Sequence, residues 1–141
     1  MMQRRLYWIS SVLLAISLIA LGVVTFWLVY PYKVIEIKGS EFKVENKVVR
    51  RGDVIRFTSD YCKYMDIAST ITRIFSNGVL FYTNPITSGA KKGCGTATIS
   101  VKIPDELSPG EYEIQNIYQY KVNPIRVITI RHNTEKFEIT E

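Results

Sequence analysis

The sequence predicts an all-β, antiparallel sandwich of about seven short strands, carried behind one N-terminal transmembrane α-helix. Three observations predict it. Residues 6–30 form a continuous apolar run without a charged side chain. After Pro31 the chain breaks into short segments rich in Val, Ile, Tyr, Phe and Thr, set apart by Gly, Pro, Asn and Asp. No helical apolar period recurs beyond residue 32. The chain therefore divides into a short tail at 1–5, a span at 6–30 and a β domain at 31–141, one compact domain of a size that gains from a covalent staple.

At about 1.5 Å per residue the apolar run outreaches a hydrocarbon core of roughly 30 Å with allowance for tilt. A helix satisfies its own backbone groups in lipid, and Ser10, Ser11, Ser17 and Thr25 can bond back to the preceding turn. Tyr7 and Trp8 at one end, with Phe26, Trp27, Tyr30 and Tyr32 at the other, bracket the span where amphipathic rings prefer the headgroup layer. Tyr7, Trp8, Trp27 and Tyr30 are thus the expected interface anchors. A cleaved signal peptide leading a secreted β domain is the rival reading. The run is roughly twice an ordinary signal h-region, and no small-x-small site closes it, which favours an uncleaved signal anchor. Ser11 and Ala15, small residues four apart, are too common a pairing to assign helix association.

Orientation rests on Arg4 and Arg5, which flank the span on a very short tail and favour a cytoplasmic N-terminus. Lys33, Lys38 and Lys43 on the far flank weaken that asymmetry. Two cysteines in the C-terminal domain tip the balance towards an extracytoplasmic, oxidising location, periplasmic or extracellular.

The β domain reads in order. Residues 33–38 alternate and 42–49 alternate less cleanly; Arg51-Gly52-Asp53 marks a turn before 54–61, where Ile55, Phe57 and Tyr61 share a face. Segments 68–75 and 79–83 flank Ser76-Asn77-Gly78, and Asn-Gly supplies the positive φ angles of a tight hairpin. Residues 84–95 read as a long polar loop. Residues 96–103 place Ala97, Ile99, Val101 and Ile103 on one face. From Pro104 a Pro and Gly turn leads to a strand with Tyr112, Ile114, Tyr118 and Tyr120 at period two, and 125–131 and 136–139 complete the sheet.

An apolar strand, an acidic link Leu107-Ser108-Pro109-Gly110-Glu111-Tyr112 and a Tyr-rich strand resemble the approach to the penultimate strand of immunoglobulin-like and fibronectin-type-III-like sandwiches. The resemblance covers about 25 residues and is one of fold class. It implies an Ig-like sandwich with Tyr112 as the corner tyrosine, although the following Cys of antibody-type domains is missing.

Cys62 closes the third strand and Cys94 precedes the strand at 96, so a disulfide between them would close a loop of about 33 residues and stabilise by roughly 3–4 kcal/mol. Cys94 sits in a Gly-flanked loop, where a free thiol would be exposed.

Net charge is +5, with 18 Lys and Arg against 13 Asp and Glu. Bases and acids alternate through Lys33, Glu36, Lys38, Glu41, Lys43 and Glu45, which excludes the concentrated basic face of a nucleic-acid binder. The only histidine, His132, has no nucleophile motif beside it and reads as a surface residue, so no triad is expected. Asp53, Asp60 and Asp66 lack calcium-loop spacing, Cys62, Met65 and Asp66 are too few and too mixed for a soft metal, and Gly89, Gly93 and Gly95 do not form a phosphate loop. No metal, cofactor or enzyme activity is expected. Tyr64 and Tyr82, with Lys91 and Lys92, form a candidate recognition patch, drawn from a wider set with Tyr61, Tyr118 and Tyr120 whose rings could instead fill the core. The expected partners are the lipid bilayer and a protein neighbour in the envelope, met through a strand edge. The alternative is a carbohydrate or cell-wall module using tyrosine faces.

Overall fold

The computed structural model describes residues 2–141, with side chains from Tyr7 onward. The Arg4 and Arg5 side chains, expected to fix topology, lie outside the described residues. Two compact units are present: Met1–Tyr32 with Asn123–Arg126, and Lys33–Val122 with Val127–Glu141.

The first unit is built on α1 (Met2–Val29), which takes in residues 2–5 as well as the span. Its segment Tyr7–Val29 is long and apolar enough to cross a membrane, and none of it is buried against protein. Two of the hydroxyls bond back as expected: Ser11 Oγ donates to the Tyr7 carbonyl and Ser17 Oγ to the Leu13 carbonyl, each at 2.9 Å. Their polarity is satisfied inside the helix, so they add little cost in hydrocarbon.

The second unit is mostly β. Its strands are β1 (Ile35–Val44), β2 (Val48–Arg50), β3 (Val54–Lys63), β4 (Ser69–Ser76), β5 (Leu80–Tyr82), β6 (Ile86–Ser88), β7 (Gly93–Lys102), β8 (Gly110–Asn123), β9 (Arg126–Asn133) and β10 (Phe137–Thr140). One sheet has the order β1-β3-β7; the other runs β2-β10-β8-β4-β5, with β6 also on β4 and β9 on β8. Ten strands form among the described residues against the expected seven or so, and the short β6 lies in a segment expected to be a loop. The expectation of a wholly antiparallel sandwich is corrected too, because β10 pairs with β2 in parallel, Ile139 opposite Val49.

Period-two burial builds the core. Ile55, Phe57 and Ser59 of β3 face inward from one sheet, and Tyr112, Ile114, Asn116, Tyr118 and Tyr120 of β8 from the other. The Phe42 and Phe57 rings stack at 5.5 Å and are buried; each such ring gives about 1.5–3 kcal/mol by leaving water. Buried Thr134 uses its hydroxyl to accept the Ile114 amide at 2.9 Å, filling a gap at the end of the ladder. Tyr112 is buried and its hydroxyl donates to the Ser108 carbonyl at 2.9 Å, tying the strand to the link before it.

The Asn77-Gly78 hairpin joins β4 to β5 where expected, but only Gly78 has positive φ, at 97°. Asn77 acts through its side chain, whose Oδ1 accepts the Val79 amide at 3.2 Å. The long loop expected at 84–95 is shorter: β6 forms on β4, and β7 begins at Gly93, so Cys94 lies in a strand.

Candidate functional site

The sequence-predicted residues converge best at the end of the three-stranded sheet where β3 finishes and β7 begins. These strands pair over ten consecutive residues, placing Cys62 directly opposite Cys94. The two are joined in a disulfide across 32 positions of sequence. The bridge spans neighbouring strands, so it staples a ladder as well as closing a loop.

Lys63, beside it, is buried, and its Nζ donates to the Ala90 carbonyl, tying the β6–β7 connection to the end of β3. Next comes Tyr64, whose amide donates to the Val34 carbonyl at 2.8 Å. Its hydroxyl donates to Glu36 Oε2 at 2.8 Å, while Lys33 Nζ stands 2.9 Å from the same oxygen and 4.5 Å from the Tyr64 ring centre. The mutual hydrogen bond raises the Lys33 pKa and lowers that of Glu36, with Tyr64 adding to both. Tyr64 is therefore engaged by a Lys–Glu pair that the sequence reading did not assign to it. The three-residue spacing of Lys33 and Glu36 was the available signal.

The rest of the expected patch does not gather here as a unit. Lys91 and Lys92 are exposed in the connection entering β7, but Tyr82 stands on β5 in the other sheet, 61 % exposed and opposite Ile74. Tyr112, Tyr118 and Tyr120 are core residues and Tyr61 is half-buried. The expected interface anchors Tyr7, Trp8 and Tyr30 are exposed, and Trp27 is half-buried.

A cavity of about 100 Å³ opens between inward-facing residues of the two sheets, lined by Ile37, Tyr61 and Ile99 on one side and Ile71, Tyr118 and Tyr120 on the other. It is well below the ~300–1,000 Å³ of drug-sized ligand pockets. Burial pushes the Tyr118 hydroxyl up to about 12 against the opposing pull of Arg73, and burial also raises Tyr120. At neutral pH both phenols keep their protons, so they offer hydrogen-bond donors on apolar bodies and no base.

Arg73 and Asn116 face each other across β4 and β8. Arg73 Nε donates to Asn116 Oδ1 at 3.3 Å, and Asn116 Nδ2 donates to the Ile114 carbonyl at 3.4 Å. Burial lowers the Arg73 pKa. Asn116 is fully buried, a polar residue in a position whose alternation alone reads as apolar.

His132 departs from its expected place at the surface. It is half-buried, its ring centre 4.5 Å from that of Phe42, and its Nε2 is buried without a hydrogen-bond partner among the described residues. Burial lowers its pKa, with Glu41 pulling the other way.

No family model and no curated protein matches the sequence. Among solved structures, the chain is similar to a Pseudomonas fluorescens alkylpurine DNA glycosylase bound to DNA containing an abasic-site analogue, with 13 % identity and a TM-score of 0.43, covering 76 % of this chain and 30 % of that one. It is also similar to a mutant β-glucosidase from Listeria innocua in complex with laminaribiose, with 13 % identity and a TM-score of 0.40, covering 78 % of this chain and 16 % of that one. The chain thus spans less than a third of either. The expectation that the chain is not an enzyme is corrected on this finding, since both similar structures are of enzymes, and that exclusion is not carried forward. At these TM-scores the likeness assigns this chain no activity of its own.

Proposed function

We propose that the chain is a single-pass membrane protein with its N-terminus in the cytoplasm, whose extracytoplasmic Ig-like module meets a protein neighbour by strand addition along β7. The Ig-like reading is supported by the three-stranded β1-β3-β7 sheet opposite one centred on β8 and β4, and by the Tyr112 bond to Ser108. The Cys62–Cys94 bridge supports the oxidising side of the membrane.

The observation that carries the interaction is the difference between the two edges of the smaller sheet. β1 carries Lys38, Glu41 and Lys43 and shifts register between Lys38 and Lys43, devices that blunt an edge. Among the described residues β7 pairs with β3 alone, in an unbroken register, and from Gly93 to Val101 it holds no charge and no proline. The Cα atoms of Cys62 and Cys94 are 4.0 Å apart, the close spacing of a pair without ladder hydrogen bonds. By alternation, Thr96, Thr98 and Ser100 turn their amides and carbonyls away from β3 towards the free edge. An extended segment of a partner would find there a row of unpaired backbone groups.

Co-purification of the full chain in mild detergent tests this, with Thr98→Pro as the discriminating variant. Proline at 98 removes an outward amide while sparing the β3 ladder. A stable companion that is lost with Thr98→Pro and kept with Thr98→Val is the expected result. A chain with no companion, or one held equally by both variants, contradicts the proposal. The carbohydrate alternative wants several tyrosine faces in reach of one polymer, whereas Tyr64 follows the end of β3 in one sheet and Tyr82 stands on β5 in the other.

A further inference from the structure

We propose that the Pro124–Ile125 turn between β8 and β9 is a second membrane contact, seated in the headgroup layer with the Ile125 side chain entering the acyl boundary of the leaflet in which α1 ends. This rests on the reading of α1 as a span and adds to it a site about a hundred residues away in sequence.

The argument begins with the helix end. The last carbonyls of a helix have no partner within it, and near hydrocarbon there is little water to supply one. The Tyr30 amide takes the Phe26 carbonyl at 2.9 Å. The next carbonyls are met by residues of the β8–β9 turn, which belong to the same compact unit as the helix. Asn123 Nδ2 donates to the Trp27 carbonyl at 3.0 Å and to the Tyr32 hydroxyl at 3.3 Å. One Arg126 guanidinium nitrogen donates to the carbonyls of Leu28 at 2.8 Å and Tyr30 at 2.7 Å. The guanidinium also lies 5.6 Å from the Tyr32 ring centre. The turn is therefore a C-terminal cap for α1, built from side chains remote in sequence.

These bonds fix depth. A turn within hydrogen-bond reach of Trp27, Leu28 and Tyr30 occupies the layer of the aromatic belt formed by Phe26, Trp27 and Tyr30. Its composition fits that layer. Turn positions are dominated by Gly, Pro, Asn, Asp and Ser for reasons of backbone geometry, so Pro124 is ordinary there while the exposed, apolar Ile125 is not demanded by the turn. Here the tip is Pro124-Ile125, with Ile125 50 % exposed and Val127 54 % exposed two residues later. The Asn123 Oδ1 accepts the Ile125 amide at 3.1 Å, so the tip leaves that backbone donor satisfied while presenting an apolar side chain. The Arg126 guanidinium lies at the same level, where lipid phosphates are natural counterions. A protein neighbour could also cover Ile125, but continuity with the end of an apolar helix favours lipid.

The test uses the full chain in phosphatidylcholine vesicles with Trp8→Phe and Trp27→Phe as background. Ile125→Trp, Leu18→Trp and Val79→Trp are compared for quenching by lipids brominated near the headgroup end of the acyl chain and by aqueous iodide. The proposal expects Ile125→Trp to lose most of its emission to the brominated lipid and little to iodide, with Val79→Trp showing the reverse. Adding Arg126→Ala should shift Ile125→Trp towards iodide access, since the cap that holds the turn at depth is gone. If Leu18→Trp is quenched by the acyl chains of brominated lipid while Ile125→Trp remains open to iodide, the second contact is overturned and the span stands. If neither is quenched by lipid, both fall.

Discussion

The helix and the β domain solve the burial problem in opposite ways. In α1 nearly every large apolar side chain from Ile9 to Val29 is exposed, and only near its C-terminal end, at Trp27 and Leu28, does protein reach it. In the β domain the core strands hide alternate residues: along β8 the inward set Tyr112, Ile114, Asn116, Tyr118 and Tyr120 is buried. A helix apolar all round is suited to lipid or to the core of a larger assembly, whereas an alternating strand carries both a core face and a water face. The same residue types therefore point to two environments, and the period decides which.

The strongest way to break this contrast is to charge the helix. Leu14→Arg combined with Leu18→Arg should cost about 5–7 kcal/mol of membrane insertion at the helix centre. In flotation with liposomes the variant should remain in the dense fraction while its β domain stays folded. Within the domain, Phe57→Ala removes a fully buried ring stacked on Phe42. It should lower stability by about 3–5 kcal/mol in urea unfolding and leave flotation unchanged. Reduction of Cys62–Cys94 should cost about 3 kcal/mol by the same measurement. Equal stability with and without reductant would show that the β3–β7 ladder needs no staple.

Smaller effects sharpen the account of the domain. Tyr112→Phe keeps the ring and deletes its bond to Ser108, and should cost about 1 kcal/mol in urea. His132 gives a pH signature. Its pKa is lowered in the folded state by burial, so as pH falls below the unfolded value of about 6.5 the unfolded chain takes up the proton first. Stability from this group is present above that pH and declines as pH falls towards the folded pKa. Urea midpoints from about pH 7.5 to about pH 5 should fall in the native chain, and His132→Phe should flatten that part of the profile.

Much of this was legible in the sequence because it is local. The apolar run marked the helix, Asn77-Gly78 marked the β4–β5 hairpin, and alternation marked β3, β7 and β8 within a few residues. The misses are of other kinds. Gly93-Cys94-Gly95 has the composition of a loop, yet pairing with β3 draws it into a strand. The parallel contact of β2 with β10 joins residues about ninety apart, and nothing local announces it. Asn116 is polar at a core position, tolerated because Arg73 and the Ile114 carbonyl satisfy it. For the candidate site, the Cys pair was readable. The Lys33–Glu36 engagement of Tyr64, the split of the patch between sheets and the cap formed by Asn123 and Arg126 depend on neighbours that only folding creates.

Alkaline extraction of membranes from cells producing the full chain, followed by intact-mass measurement under non-reducing conditions, tests the central claim most directly. The account predicts an unprocessed chain in the membrane pellet, two hydrogens lighter than its reduced mass because Cys62 and Cys94 are joined. Recovery of the intact chain in the aqueous extract, or of a chain that has lost its first thirty or so residues, would contradict it.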